Sequence, residues 1–172
     1  AAAIINTDNV GTVFTYTGRE QSISGATGTG VITYENNSFT NAGNYIVTVK
    51  SAESANYLAG QTTVNVVVNK AMVSGITFEN GTFTYDGTAK SIYIGGTLPN
   101  EVSVAYTNNG QTEAGEYTVT AKFTVSNNYN AIADKAATLT IVNAEIEGLS
   151  FTNKTVTYDG NAHMIEVVGA GD

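Results

Sequence analysis

The chain has 172 residues, no cysteine, one proline and a formal net charge of −8. Lack of cysteine excludes disulfides and thiolate chemistry. An acidic surface repels phosphate backbones and anionic lipid, so neither nucleic acid nor membrane insertion is expected of this segment. At 42% hydrophobic and 13% charged, the chain can build cores and is neither collagen-like nor disordered in composition.

Residues 1–13 are weakly patterned, with Ile4, Ile5, Val10 and Val13 suggesting an opening strand. The start lacks a basic flank and is too short for a signal peptide, and no run is apolar enough to span a bilayer. Any targeting or anchoring signal is therefore expected outside this stretch.

A short phrase follows, and the chain states it three times: Phe14-Thr15-Tyr16-Thr17-Gly18, Phe83-Thr84-Tyr85-Asp86-Gly87 and Val156-Thr157-Tyr158-Asp159-Gly160. Its tyrosines lie 69 and then 73 positions apart. A second phrase, Ala42-Gly43-Asn44-Tyr45 and Ala114-Gly115-Glu116-Tyr117, recurs at 72 positions, and so does Asn56-Tyr57 with Asn128-Tyr129. Three phrases at one period predict a tandem array of small units. The expected units are 1–71, 72–144 and an incomplete third over 145–172.

Unit 72–144 gives the clearest strand pattern. Ile76 and Phe78 predict a first strand, and 82–85 a second with Phe83 and Tyr85 on one face. Asp86-Gly87 reads as a tight hairpin turn into a strand over 91–94. Val102, Val104 and Tyr106 alternate on the next strand. Tyr117, Val119, Ala121, Phe123 and Val125 then share one face of a long strand, since side chains alternate with period two. Leu139 and Ile141 mark the last. About seven short strands bounded by turn residues predict an all-β sandwich. Unit 1–71 follows the same plan, with Tyr45, Val47 and Val49, then Val64, Val66 and Val68. The Gly25–Gly30 stretch is a loop between strands, because no helical pattern follows it. Residues 145–172 hold at most three strands, too few to bury a core. They are expected to fray, or to pair with a strand from the preceding unit or a neighbouring chain. The units join through 69–71 and 142–144 without a flexible spacer, which predicts an elongated, stiff array.

Tyr45 and Tyr117 stand just before the long strands. There a tyrosine folds over a corner and its hydroxyl bonds to upstream backbone, with Gly43 and Gly115 permitting the tight path.

Taken together, Tyr85-Asp86-Gly87, the Leu98-Pro99 loop, Ala114-Gly115-Glu116-Tyr117-Thr118-Val119-Thr120-Ala121, Asn128-Tyr129 and a closing Leu139-Thr140-Ile141 resemble the YDG/MBG-type repeats of bacterial surface proteins. That resemblance implies immunoglobulin-like β-sandwich modules in tandem, in adhesins and cell-wall proteins outside the cell. It brings no catalytic residue. Unit 1–71 departs from the pattern, with Thr17 in place of the aspartate and no Leu-Pro.

Reactive constellations are not found. His163 matches Lys90 and Gln21 in the other units, as a solvated position would, and one histidine without cysteine makes no zinc site. The carboxylates form no recurring pair. A looser calcium site would draw on Glu145, Glu147 or Asp134. A Lys–Asn amide cross-link would need Lys90 or Lys122 with Asn143, and unit 1–71 matches neither lysine. The expectation is a non-enzymatic stalk without cofactors, partnered by its own neighbouring units. The alternative is a module that binds glycans or a host protein through loop tyrosines Tyr57 and Tyr129, since rings presented on loops can stack on sugars.

Overall fold

A computed structural model describes residues 1–169. The fold is all-β, with no helix among the described residues. Four strands form the first large sheet: β2 (Val13–Thr15), β4 (Ile32–Glu35), β5 (Gly43–Ser51) and β6 (Gly60–Asn69). Four more form the second: β7 (Gly81–Thr84), β8 (Val102–Thr107), β9 (Gly115–Val125) and β10 (Lys135–Val142). Two small pairs complete the chain, β1 (Ile5–Asn6) with β3 (Thr27–Gly28) and β11 (Ser150–Phe151) with β12 (Val167–Val168).

Both large sheets have the same order. The first runs β2-β6-β5-β4 and the second β7-β10-β9-β8. In each, the long middle strands pair antiparallel, while the short first strand lies parallel to the last. The alternation in sequence explains these ladders. In β5 and β9, Val47, Val49, Val119 and Ala121 point inward and are fully buried. Two separate clusters result. The first gathers Val10, Ile23, Phe39, Val47, Val49, Val66 and Val68. The second gathers Ile92, Val119, Ala137, Leu139 and Ile141.

The outer layer departs from the sequence expectation. The segments at 76–78 and 91–94 form no strand; backbone pairing around them is confined to isolated bridges, Thr77 to Gly95 and, just before 91, Lys90 to Gln111. Side chains replace the missing ladder. The Asn109 amide accepts from Ile92 N at 3.0 Å and donates to Ile92 O at 2.8 Å. The Tyr106 hydroxyl accepts from Ile94 N at 3.0 Å. The first half repeats the device, with Asn37 holding both backbone groups of Ile23 and Tyr34 taking Ala26 N. Buried backbone groups must be paired, and here an asparagine and a tyrosine do what a strand would.

Asp86-Gly87 does not close a hairpin within one sheet. β7 pairs with β10, in register Phe83 to Ile141, not with 91–94. Asp86 Oδ1 instead accepts from Thr88 N at 2.9 Å, and Lys90 Nζ donates to Oδ2 at 2.6 Å. This fold of the chain sends 88–95 into the opposite layer. Gly87 sits at φ +78, in the left-handed region, with open space around it. Gly87→Ala is therefore expected to cost about 1–2 kcal/mol through conformation alone. A urea titration showing no loss would refute that.

Past Val142 the chain leaves the second sheet. Every described residue from Val142 to Gly169 is exposed, and only β11 and β12 pair there.

Candidate functional site

Three tyrosines share the thrice-stated phrase, and their surroundings differ. Tyr16 is 9% exposed, Tyr85 is 38% and Tyr158 is 93%. What covers Tyr16 comes from the second half of the chain.

β9 ends at Val125 and runs into a tight turn, in which Tyr129 N donates to Ser126 O at 3.3 Å. This turn lays Asn128 and Tyr129 over the end of the first sheet. The Tyr129 ring meets Tyr16 edge-on, with centroids 5.4 Å apart, an arrangement aromatic pairs favour. Ala71 forms a parallel bridge with Tyr129: its N–H donates to Asn128 O at 2.9 Å, and Asn130 N donates to Ala71 O at 2.9 Å. The connection between the two sheets is thus bonded down, not free.

Asn128 is 9% exposed and sits at the centre. Its Oδ1 accepts from Ala42 N at 2.9 Å. Its Nδ2 donates to Asn41 Oδ1 at 3.1 Å and to Glu101 Oε2 at 2.9 Å. Ser126 Oγ donates to the same Glu101 oxygen at 2.6 Å, and the Tyr16 hydroxyl donates to Glu101 Oε1. One carboxylate therefore collects three donors from both sheets.

Electrostatics follow from that geometry. Ser126 above all, then Tyr16 and Asn128, hold the Glu101 carboxyl below its ordinary value, because bonding to the charged form favours it. The same carboxylate pushes the Tyr16 phenol up. A depressed folded-state value means the unfolded chain binds the proton more readily. This contribution is present above the unfolded pKa of about 4.5 and lost as pH falls through the folded value. Wild-type stability is expected to drop more steeply below about pH 4.5 than that of Glu101→Gln. Parallel curves in urea titrations across that range would rule it out.

The other singled-out residues fall elsewhere. The Tyr45 hydroxyl donates to Asn41 O at 2.7 Å, and that of Tyr117 to Glu113 O at 3.0 Å. Each ring lies over its glycine: a Cβ on Gly43 would touch the Tyr45 ring at 3.7 Å, and one on Gly115 the Tyr117 hydroxyl at 3.3 Å. Tyr57 is half-buried at the far end of the first sheet, where Ser54 and Tyr57 exchange backbone bonds. His163 Nε2 lies 2.9 Å from Asp159 Oδ1 on the surface, but the matching positions are not solvated as expected. Lys90 is half-buried with Nζ 2.6 Å from Asp86 Oδ2, and Gln21 is half-buried with its Oε1 out of solvent, because both bridge to a neighbouring segment. Glu145 and Glu147 line one shallow depression and Asp134 another, so the structure does not bring them together. Among the described residues, no three His, Cys, Asp or Glu side chains gather as metal ligands.

Nothing in the sequence pattern marks Glu101, Ser126 or Asn41 as site residues. Asn128-Tyr129 stood out as a recurring phrase, and that was the available signal. Glu101 gave none, because its counterpart 72 positions earlier is Thr29.

No protein-family model matches the chain, and no match to a curated protein is found.

Proposed function

We propose that the chain is a non-enzymatic spacer segment of an extracellular bacterial surface protein. In this reading, residues 1–71 and 72–144 are tandem immunoglobulin-like β-sandwich units, and 145–172 begin a third. Stiff joints between such units turn sequence length into reach, projecting a binding head or forming a polymer body. The setting rests on the resemblance to YDG/MBG-type repeats.

One observation carries the mechanical part: the junction around Asn128 and Glu101. Asn69 and Lys70 are exposed, but Ala71 is bridged to Tyr129 and the shared carboxylate of Glu101 stands beside that corner, where a flexible linker would have no fixed contact. The matched sheet orders support the unit division. The Tyr129 ring, one of the two candidate sugar platforms, spends its contact on Tyr16.

Small-angle scattering tests the reading. The expected result is an elongated particle whose maximum dimension approaches two unit lengths, with Asn128→Ala plus Glu101→Gln broadening its distance distribution. A compact particle would defeat the spacer. A glycan and mucin panel tests the other reading, and specific binding lost in Tyr57→Ala would favour an adhesive module over a spacer.

A further inference from the structure

Residues 148–169 repeat the backbone course of 75–96, feature by feature. Gly148 and Gly75 have φ of +74 and +73, Gly160 and Gly87 of +81 and +78, and Gly169 and Gly96 of +97 and +95. A Cβ on Gly169 would strike Gly148 O at 2.2 Å, and one on Gly96 would strike Gly75 O at 2.4 Å. Asn161 N donates to Asp159 Oδ1 at 2.9 Å, as Thr88 N does to Asp86. Ser150 pairs with Val168 where Thr77 bridges Gly95.

The covering differs. Within 75–96, Phe78 and Phe83 pack on the second cluster beside Ile92, against Val119, Leu139 and Ile141 of the β9–β10 hairpin. Their counterparts Phe151, Val156 and Ile165 are 66%, 43% and 46% exposed. The apolar face that 75–96 turns toward its hairpin is therefore assembled at 148–169, and among the described residues nothing lies on it.

We infer that residues 148–169 form an acceptor for a β-hairpin of the Gly115–Val142 type. Its second strand would add parallel to 154–157, as β10 adds to β7, and its alternating Val, Leu and Ile would cover Phe151, Val156 and Ile165. Recognition is strand addition: main-chain bonds at an open edge give affinity, and alternate side chains give specificity. The occupant is a hairpin not already committed to a sheet. A second folded copy of this chain does not fit, because the inward residues of its own hairpins are buried. Val47, Val66, Val119 and Leu139 are all 0% exposed, so donating a hairpin would unfold a sheet. The inference rests on the unit equivalence in the proposed function, not on its surface location.

The test uses the whole labelled chain and a synthetic peptide of residues 115–142. Amide exchange at Thr155, Val156 and Thr157 is expected to slow by about tenfold or more with excess peptide, because paired strands open rarely. Phe151→Asp with Val156→Asp is expected to abolish the protection. Both residues are exposed in the chain alone, so the β2–β10 region should melt unchanged in this variant. The same hairpin tethered to the C-terminus by a flexible linker removes any dependence on peptide solubility, by raising its effective concentration to the millimolar range. Unprotected amides in the tethered chain would overturn the inference. So would protection that survives the double variant, or protection that appears without peptide and grows with chain concentration. None of these outcomes would alter the scattering of the junction, so the spacer reading stands or falls separately.

Discussion

Phe39→Ala is expected to be the most damaging single truncation, costing about 3–5 kcal/mol. Phe39 is 1% exposed and is the largest of the fully buried side chains. Its ring lies 5.9 Å from that of Phe14 and 5.0 Å from that of Tyr45, and its backbone exchanges both hydrogen bonds with Gln21. Removing it opens a cavity that rigid β5 and β6 cannot collapse to fill. A domain of this size is stable by about 5–15 kcal/mol in total, so the first sheet would lose a large part of its margin. The damage should also be local. Phe39 belongs to the first cluster, and Leu139 and Ile141 pack in the second. Native-state amide exchange should therefore accelerate in β5 and β6 and change little in β9 and β10. A loss below about 1 kcal/mol, or equal acceleration in both sheets, would show that the two clusters are not the separate cores their packing describes.

Phe39 also marks where the sequence stops being readable. The inward faces of β5 and β9 follow from alternation, because period-two patterning leaves one face to bury. The Tyr45 and Tyr117 corners follow from a tyrosine two residues after a glycine at the start of a long strand. Phe39 stands in no such pattern. It lies in the outer layer, where Ser38-Phe39-Thr40 is too short to show a period, and it is held by a lone antiparallel bridge to Gln21. The outer segments at 23 and 92 look like strands for a good reason, being short and apolar. Yet their backbone groups are satisfied by Asn37 and Asn109, and that long-range choice leaves no local trace. The parallel partnership of β7 with β10 is hidden in the same way. Asp86-Gly87 has the chemistry of a hairpin turn, and only packing of Phe83 beside Ile141 decides that the chain crosses layers instead. Of the junction, Asn128-Tyr129 was visible through recurrence. Glu101 was not, since a residue used at one joint has no second copy to give it away.

Asn128→Ala is the substitution that separates a joint from a mere contact. The side chain accepts from Ala42 N and donates to Asn41 and Glu101, so its loss orphans a backbone donor and removes one of the three donors to a carboxylate. Leaving partly buried polar groups unpaired costs about 1–3 kcal/mol, and with two groups affected about 2–3 kcal/mol is expected here. Asn41→Ala should cost less, because it removes one acceptor and leaves Ala42 N paired. The double variant should fall short of the sum, since both changes break the same bond. The more telling consequence concerns cooperativity. The Asn128 corner is bonded to the Ala71 connection and packed on Tyr16, so it couples the end of β2 to the turn after β9. With it intact, the urea midpoints of the two sheets should lie closer together than in the variant, because the corner couples two otherwise separate cores. With Asn128→Ala, β5–β6 and β9–β10 amides should report separate midpoints. Coincident midpoints in the variant would mean that the short connection at 69–71, rather than the polar cluster, holds the two sheets together, and the stiffness proposed for the chain would then have to come from backbone pairing at Ala71 alone.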